Sequence, residues 1–182
     1  MIAKISQWIL RVFGWRIEGA IPSSIKQMVI AVIPHTSNWD FPLGLLVRAA
    51  MQERISYIGK SSLFVFPVGI LFKALGGIPV DRSKSNNFVD AVVEIFKQNQ
   101  ELRIAIAPEG TRKSVQRLKT GFYFIAKGAG IPILLTKFDF ENKVVDFGEV
   151  FWPTDDQEAD FEHIHQYFKG VQGKNAVFNL TV

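Results

Sequence analysis

Short runs of near-continuous apolar, β-rich sequence recur along this chain, and stretches with helical periodicity lie between them. The runs are Met28–Ile33 (MVIAVI), Ile55–Gly59, Ile78–Val80, Leu102–Ala107 and Ile133–Phe138, with Val144–Val150 expected at an edge. A strand with one face in water alternates apolar and polar residues, whereas a strand covered on both faces need not. The pattern therefore predicts an α/β fold, a mostly parallel central sheet surrounded by helices. Helices are expected at Phe41–Gln52, Leu63–Leu75, Phe88–Gln98 and Gly121–Gly128. A last helix should begin near Thr154, where TDDQE offers a cap and acidic residues for the first turn, and there Phe161, Ile164 and Phe168 share one face. At 182 residues, 48% hydrophobic and 21% charged, with no repeat or linker, the chain reads as a single domain over residues 1–182.

Residues 1–24 read differently from the core at 28–140 and predict a short amphipathic helix. Ile2, Ile5, Ile9, Val12 and Phe13 line one side, Lys4, Gln7 and Arg11 the other, and Trp8 and Trp15 flank the boundary. An apolar stripe with basic residues and boundary tryptophans suits a helix lying in a lipid interface; packing on its own domain explains the same stripe. The first 17 residues lack the apolar block and small-residue cleavage site of a secretory signal. No apolar run reaches membrane-spanning length uninterrupted; the nearest, Leu63–Val80, is broken by Lys73, two prolines and several glycines. The net charge of +4 favours anionic partners such as phosphate-bearing substrates or acidic lipid surfaces. Scattered basic residues without a recognition motif argue against nucleic acid. The absence of cysteine excludes disulfides, thiolate metal sites and a cysteine nucleophile.

Four stretches carry candidate chemistry. PHTSNWDF places His35 directly after an apolar strand and Asp40 at the start of a helix. On one continuous helix, positions five apart diverge by about 140° and cannot meet. A turn between them, with Ser37 or Asn38 capping the helix, lets Asp40 swing back to the imidazole. An aspartate on one ring nitrogen would leave the other to accept a proton; a capping histidine in an ordinary turn has the same letters. GGIPVDRS brings Arg82 to the end of a short strand, where a guanidinium can grip phosphate or simply pair with Asp81. IAPEGTRK supplies Gly110 for a sharp turn, Arg112 and Lys113 as cations, and Glu109 to bond a substrate hydroxyl or brace the arginine. Beyond it, Lys119 either adds charge to a phosphate pocket or is solvated at a helix start. His163 and His165, two apart on the last helix, make a poor metal pair, and no Gly-x-Ser-x-Gly elbow exists.

Taken in order, His-x4-Asp, a glycine-led strand ending in Asp-Arg, Pro-Glu-Gly-Thr-Arg and a proline-led apolar strand resemble the glycerolipid acyltransferase family, the superfamily of 1-acylglycerol-3-phosphate acyltransferases. The resemblance spans about residues 28–140. It implies a sheet surrounded by helices, with His35 as general base and Asp40 orienting it. Arg82, Glu109, Gly110, Thr111, Arg112 and Lys119 would then bind the acceptor. It further implies acyl-CoA or acyl carrier protein as co-substrate, a lyso-lipid acceptor, no metal or other cofactor, and a peripheral position at the cytoplasmic face of a membrane. Ala107 stands where phenylalanine is common, Lys113 where serine is usual, and IPILLTKF lacks a second proline. These departures leave the reaction type and open the acceptor: a lysophosphatidate, another lyso-lipid, an amino-acid lipid or, for a non-catalytic domain, an anion alone. The apolar stretch Leu63–Leu75 is either a wall for the acyl chain or a core helix.

Overall fold

The computed structural model describes residues 1–81, 85–110 and 118–175. Among the described residues seven strands form one sheet: β1 (Arg16–Gly19), β2 (Gln27–Ile33), β3 (Ser56–Lys60), β4 (Gly77–Val80), β5 (Leu102–Ile106), β6 (Ile133–Asp139) and β7 (Val144–Phe151). Their order is β1-β7-β6-β2-β5-β3-β4. Every pairing is parallel except β6 with β7.

Strand β2 shows why the apolar runs had to be strands buried on both faces. Val29, Ala31 and Ile33 point into one core cluster, Met28 and Ile30 into the other. Side chains alternate across a strand, so one run feeds two cores. Each large aliphatic side chain sealed in this way contributes roughly 1.5–3 kcal/mol of transfer free energy. On the first face lie α4 (Ser85–Gln98), α5 (Gly121–Ala129) and α6 (Gln157–Phe168), whose Phe96, Phe122 and Phe168 are buried there. The second face is covered by α1 (Ile2–Val12) and α2 (Asp40–Met51), through Leu10, Leu43 and Val47. On α6 the expected face of Phe161, Ile164 and Phe168 does pack on the core, and Asp156 is the cap, accepting from the Ala159 N–H at 3.0 Å.

Several expectations need correction. Val144–Val150 is not at an edge, because β1 pairs beyond it from Arg16↔Val144 to Gly19↔Phe147. The segment 1–24 is a helix only to Val12, after which Gly14 turns at φ +77° and β1 follows. Leu63–Leu75 is not one helix but a 3-10 turn (Ser61–Phe64) and a separate α3 (Val68–Ala74). Pro67 lacks an N–H and disfavours helical backbone before it, so the helix restarts there. Nor is this stretch core, since Phe66 is 84% and Ile70 64% exposed. Helix α1 likewise turns its predicted stripe outward: Ile2, Ile5, Val12 and Phe13 are exposed, while Ser6 and Leu10 are buried. Beside them, Gln7 Nε2–H donates to the Ala50 carbonyl at 3.0 Å.

Candidate active site

Parallel strands share one carboxyl edge, and the loops leaving that edge converge. Strand β2 ends at Ile33, and the loop Pro34–Trp39 leads into α2. The helix begins at Asp40 with Trp39 in the cap position and no side-chain cap, so neither Ser37 nor Asn38 caps it. Ser37 instead ties the loop together: its Oγ accepts from the Trp39 N–H at 3.1 Å, and its own N–H donates to Asp40 Oδ2 at 2.9 Å. That same Oδ2 lies 2.9 Å from His35 Nδ1. Asp40 is buried, whereas the imidazole keeps 23% of its side-chain surface. The turn expected from sequence does bring the pair together. With Nδ1 engaged by the carboxylate, Nε2 remains to take a proton.

The loop after β5 supplies the second half. Glu109 does not reach outward to a substrate hydroxyl; it is only 2% exposed. Its two carboxylate oxygens accept the His35 backbone N–H at 2.8 and 2.9 Å. Glu109 therefore clamps the β5 loop to the residue bearing the imidazole. Burial raises its pKa to about 7, against the opposing pull of the His35 N–H. Sequence reasoning missed this role, because nothing local joins residues 74 apart.

Gly110 follows at φ +63°, a backbone conformation that favours glycine. A Cβ there would lie 2.7 Å from Lys119 Nζ, so the lysine arm rests directly over the glycine. The Lys119 N–H also donates to the Pro108 carbonyl at 2.8 Å. Of the expected binding residues, Glu109, Gly110 and Lys119 are thus brought beside His35; Arg82, Thr111 and Arg112 lie outside the described residues.

A third support comes from the far end of the described chain. Asn175 Nδ2–H donates to the Thr36 carbonyl at 3.1 Å, and its N–H to Thr36 Oγ1 at 3.3 Å. Lys174 Nζ sits 4.4 Å from the centre of the Trp39 ring. The sequence carries no signal for this strap.

His35, Asp40, Gly110 and Lys119 line a cavity of about 1880 Å³. Its other walls include Phe41, Leu45, Ile55, Ile58, Phe122 and Phe138. Pockets for single small ligands run to roughly 300–1,000 Å³, so this space suits an extended molecule or two substrates together. The stretch Leu63–Leu75 is not among the lining residues, so it is no wall of this cavity. Among the described residues no group of three or more His, Asp or Glu could hold a metal ion. The arrangement offers a base on a fixed carboxylate, a nearby cation and an apolar recess.

Comparison with known proteins bears on the family and the fold. A family model described as Acyltransferase matches residues 15–134. No curated protein sequence matches the chain. Among solved structures, the fold is similar to the crystal structure of PlsC, the 1-acyl-sn-glycerophosphate (LPA) acyltransferase from Thermotoga maritima, with a TM-score of 0.68. Identity is 20%, over 92% of this chain and 75% of that one.

Proposed function

The chain belongs to the acyltransferase family and is an acyltransferase enzyme, and from that premise we propose that it transfers a fatty acyl group to the hydroxyl of a lysophosphatidate-like acceptor in phospholipid biosynthesis. The donor in this reading is a thioester, acyl-CoA or acyl carrier protein. The observation that carries the proposal is the His35 Nδ1–Asp40 Oδ2 contact of 2.9 Å inside a cavity that Lys119 also lines.

The chemistry follows from these groups. A hydroxyl is a weak nucleophile at neutral pH until a base removes its proton as it attacks. His35 Nε2 takes that proton, and the alkoxide-like oxygen forms a bond to the thioester carbonyl carbon. Asp40 stabilises the imidazolium that results. When the tetrahedral species collapses, the carbon–sulfur bond breaks and the thiolate recovers the proton from His35. The products are an ester and a free thiol. Lys119 holds the acceptor's phosphate, together with Arg82 and Arg112, and this anchoring aligns the hydroxyl with the carbonyl. Glu109 fixes the His35 backbone against the neighbouring loop. The hydrocarbon chain lies along the apolar recess beside Leu45, Ile58 and Phe138.

The enzyme works as a peripheral protein at the cytoplasmic face of a membrane. No helix among the described residues is long and apolar enough to cross one. The exposed stripe of α1, with Lys4 and Arg11 beside it, supports docking in the interface. Purified protein given a thioester donor and lysophosphatidate should yield the diacyl product by mass spectrometry. His35→Ala should lower that rate by roughly 10²–10⁴-fold with thermal stability retained. Wild-type turnover by the variant would end the assignment.

A further inference from the structure

The apolar crossover between the parallel strands β3 and β4 is absorbed neither by the core nor by the cavity. We propose that residues 63–71 form a wedge that enters the hydrocarbon layer of an anionic bilayer at the rim of the active site. This inference rests on the membrane-surface reading above and adds to it a second, separate point of insertion.

The crossover is built to hold apolar side chains out. Phe64 turns inward, where a Cβ at Gly59 or Gly77 would meet its ring at 2.7 and 2.8 Å. Gly69 comes so close to the Phe64 carbonyl that a Cβ there would collide at 2.2 Å. Phe72 packs 6.1 Å from Phe64, and the Phe72 carbonyl accepts from the Tyr57 hydroxyl at 3.2 Å. Arg48 Nη1–H donates to the Leu75 carbonyl at 2.9 Å, fixing the end of α3 to α2. On that firm base Leu63, Val65, Phe66, Val68, Ile70 and Leu71 all stand in solvent. Isolated exposed apolar residues are ordinary, but six in nine consecutive positions form a contiguous patch of the kind that marks an interaction site.

Two observations select a lipid surface as the occupant. The first is charge: from Ser56 to Val80 the sequence carries Lys60 and Lys73 and no acidic residue. Cations at the margin of an apolar patch suit anionic head groups. The second is position. Ala31 pairs with Ile106, Ala105 with Tyr57, and all three strands are parallel, so Lys60 falls in the same row as Ile33. The crossover therefore leaves the sheet at the edge that bears His35, two strands away, or about 10 Å. The registers Ile33↔Lys137, Asp139↔Val144 and Arg16↔Val144 bring Arg16, just beyond α1, to the same edge. The exposed Val12 and Phe13 at the end of α1 and the segment 63–71 thus lie toward opposite ends of one edge, and two such separate patches need no shape complementarity from a partner if that partner is a fluid bilayer. With the wedge inserted, a lipid acceptor passes from the bilayer to His35 without entering water.

The chain contains no cysteine, so one introduced thiol reports one place. Phe66→Cys and, separately, Ile5→Cys are labelled with an environment-sensitive fluorophore and mixed with phosphatidylcholine–phosphatidylglycerol vesicles. The proposal expects a blue shift at both positions and quenching by bromine-labelled acyl chains at position 66. Val65→Asp/Phe66→Asp should weaken vesicle partitioning at least tenfold, with thermal stability and turnover of detergent-dispersed short-chain substrate unchanged. Bilayer contact at position 5 with a water-like signal at position 66 would overturn the wedge and leave the membrane reading standing. Failure of the wild type to bind vesicles would overturn both. Concentration-dependent self-association abolished by the aspartate pair would assign the patch to a second copy of the chain and also overturn the wedge.

Discussion

Two carboxylates are buried in this molecule to nearly the same depth, Glu109 at 2% exposure and Asp160 at 4%, yet their protons behave oppositely. Burial pushes Asp160 up, but its partners more than reverse this and hold it below the ordinary aspartate value. The Thr154 N–H donates to Oδ2 at 2.7 Å, the Tyr123 hydroxyl to Oδ2 at 2.8 Å and the Thr154 hydroxyl to Oδ1 at 2.8 Å. The Lys127 charge pulls in the same direction. Glu109 has the shared His35 N–H and the unfavourable charge of Asp40 nearby, so burial prevails. The carboxylate that fastens α6 is given three separate hydrogen bonds. The one behind the imidazole shares a single N–H between its two oxygens, too little to offset its burial.

The largest effect expected from disturbing this contrast is at the satisfied site. Asp160→Ala strands the Thr154 N–H, leaves the Tyr123 hydroxyl only the Thr154 carbonyl at 3.0 Å, and should cost roughly 3–5 kcal/mol in urea unfolding, with kcat retained by the folded fraction. Acid should mimic part of that loss, since a depressed folded pKa gives stability above the ordinary aspartate value that disappears as pH falls through the folded one.

Glu109 sharpens the comparison by reversing the sign. Its folded pKa of about 7 exceeds the ordinary value of 4.5, so the folded state holds the proton harder. The stability it gives is complete below pH 4.5 and is lost as pH rises through 7. Glu109→Gln has no such proton. Its stability relative to wild type should rise by up to roughly 3 kcal/mol between those pH values, read from paired denaturation curves. A relative stability that instead falls as pH rises would mean that the two carboxylates are alike after all, and one independent of pH would mean that burial does not raise Glu109.

The smallest effect tests whether the reactive loop has supports besides Glu109. Asn175→Ala removes the strap on Thr36 and should lower kcat about two- to threefold while changing stability by less than about 1 kcal/mol. A loss as large as that of His35→Ala would shift the weight of positioning from the clamp to the strap.

These cases also mark what the sequence could disclose. The strands at 28–33, 102–107 and 133–138 were legible because a run buried on both faces writes its burial into every letter. Strand β1, RIEG, was not: it is four residues long, half charged and held at the edge by β7. The His35–Asp40 pair was legible as a turn because its parts are local. The Glu109 contact was not, since the motif fixes the residue but only the β2–β5 pairing brings its carboxylate to His35. The stripe on α1 was readable and its docking face was not, for the helix packs through Ser6 and Leu10, between the stripe and the cations. The stretch at 63–75 misled for a similar reason. Apolar composition usually means burial, and nothing in a list of residues distinguishes a segment hidden from water from one held out into it.

The bond between Asn175 and Thr36 joins residues 139 apart. A ribosome must add 139 residues after Thr36 before the latch for that turn is made. The turn at Thr36 therefore leaves the exit tunnel well ahead of the side chain that fastens its carbonyl, and in that interval only nearer partners such as Asp40 can hold it.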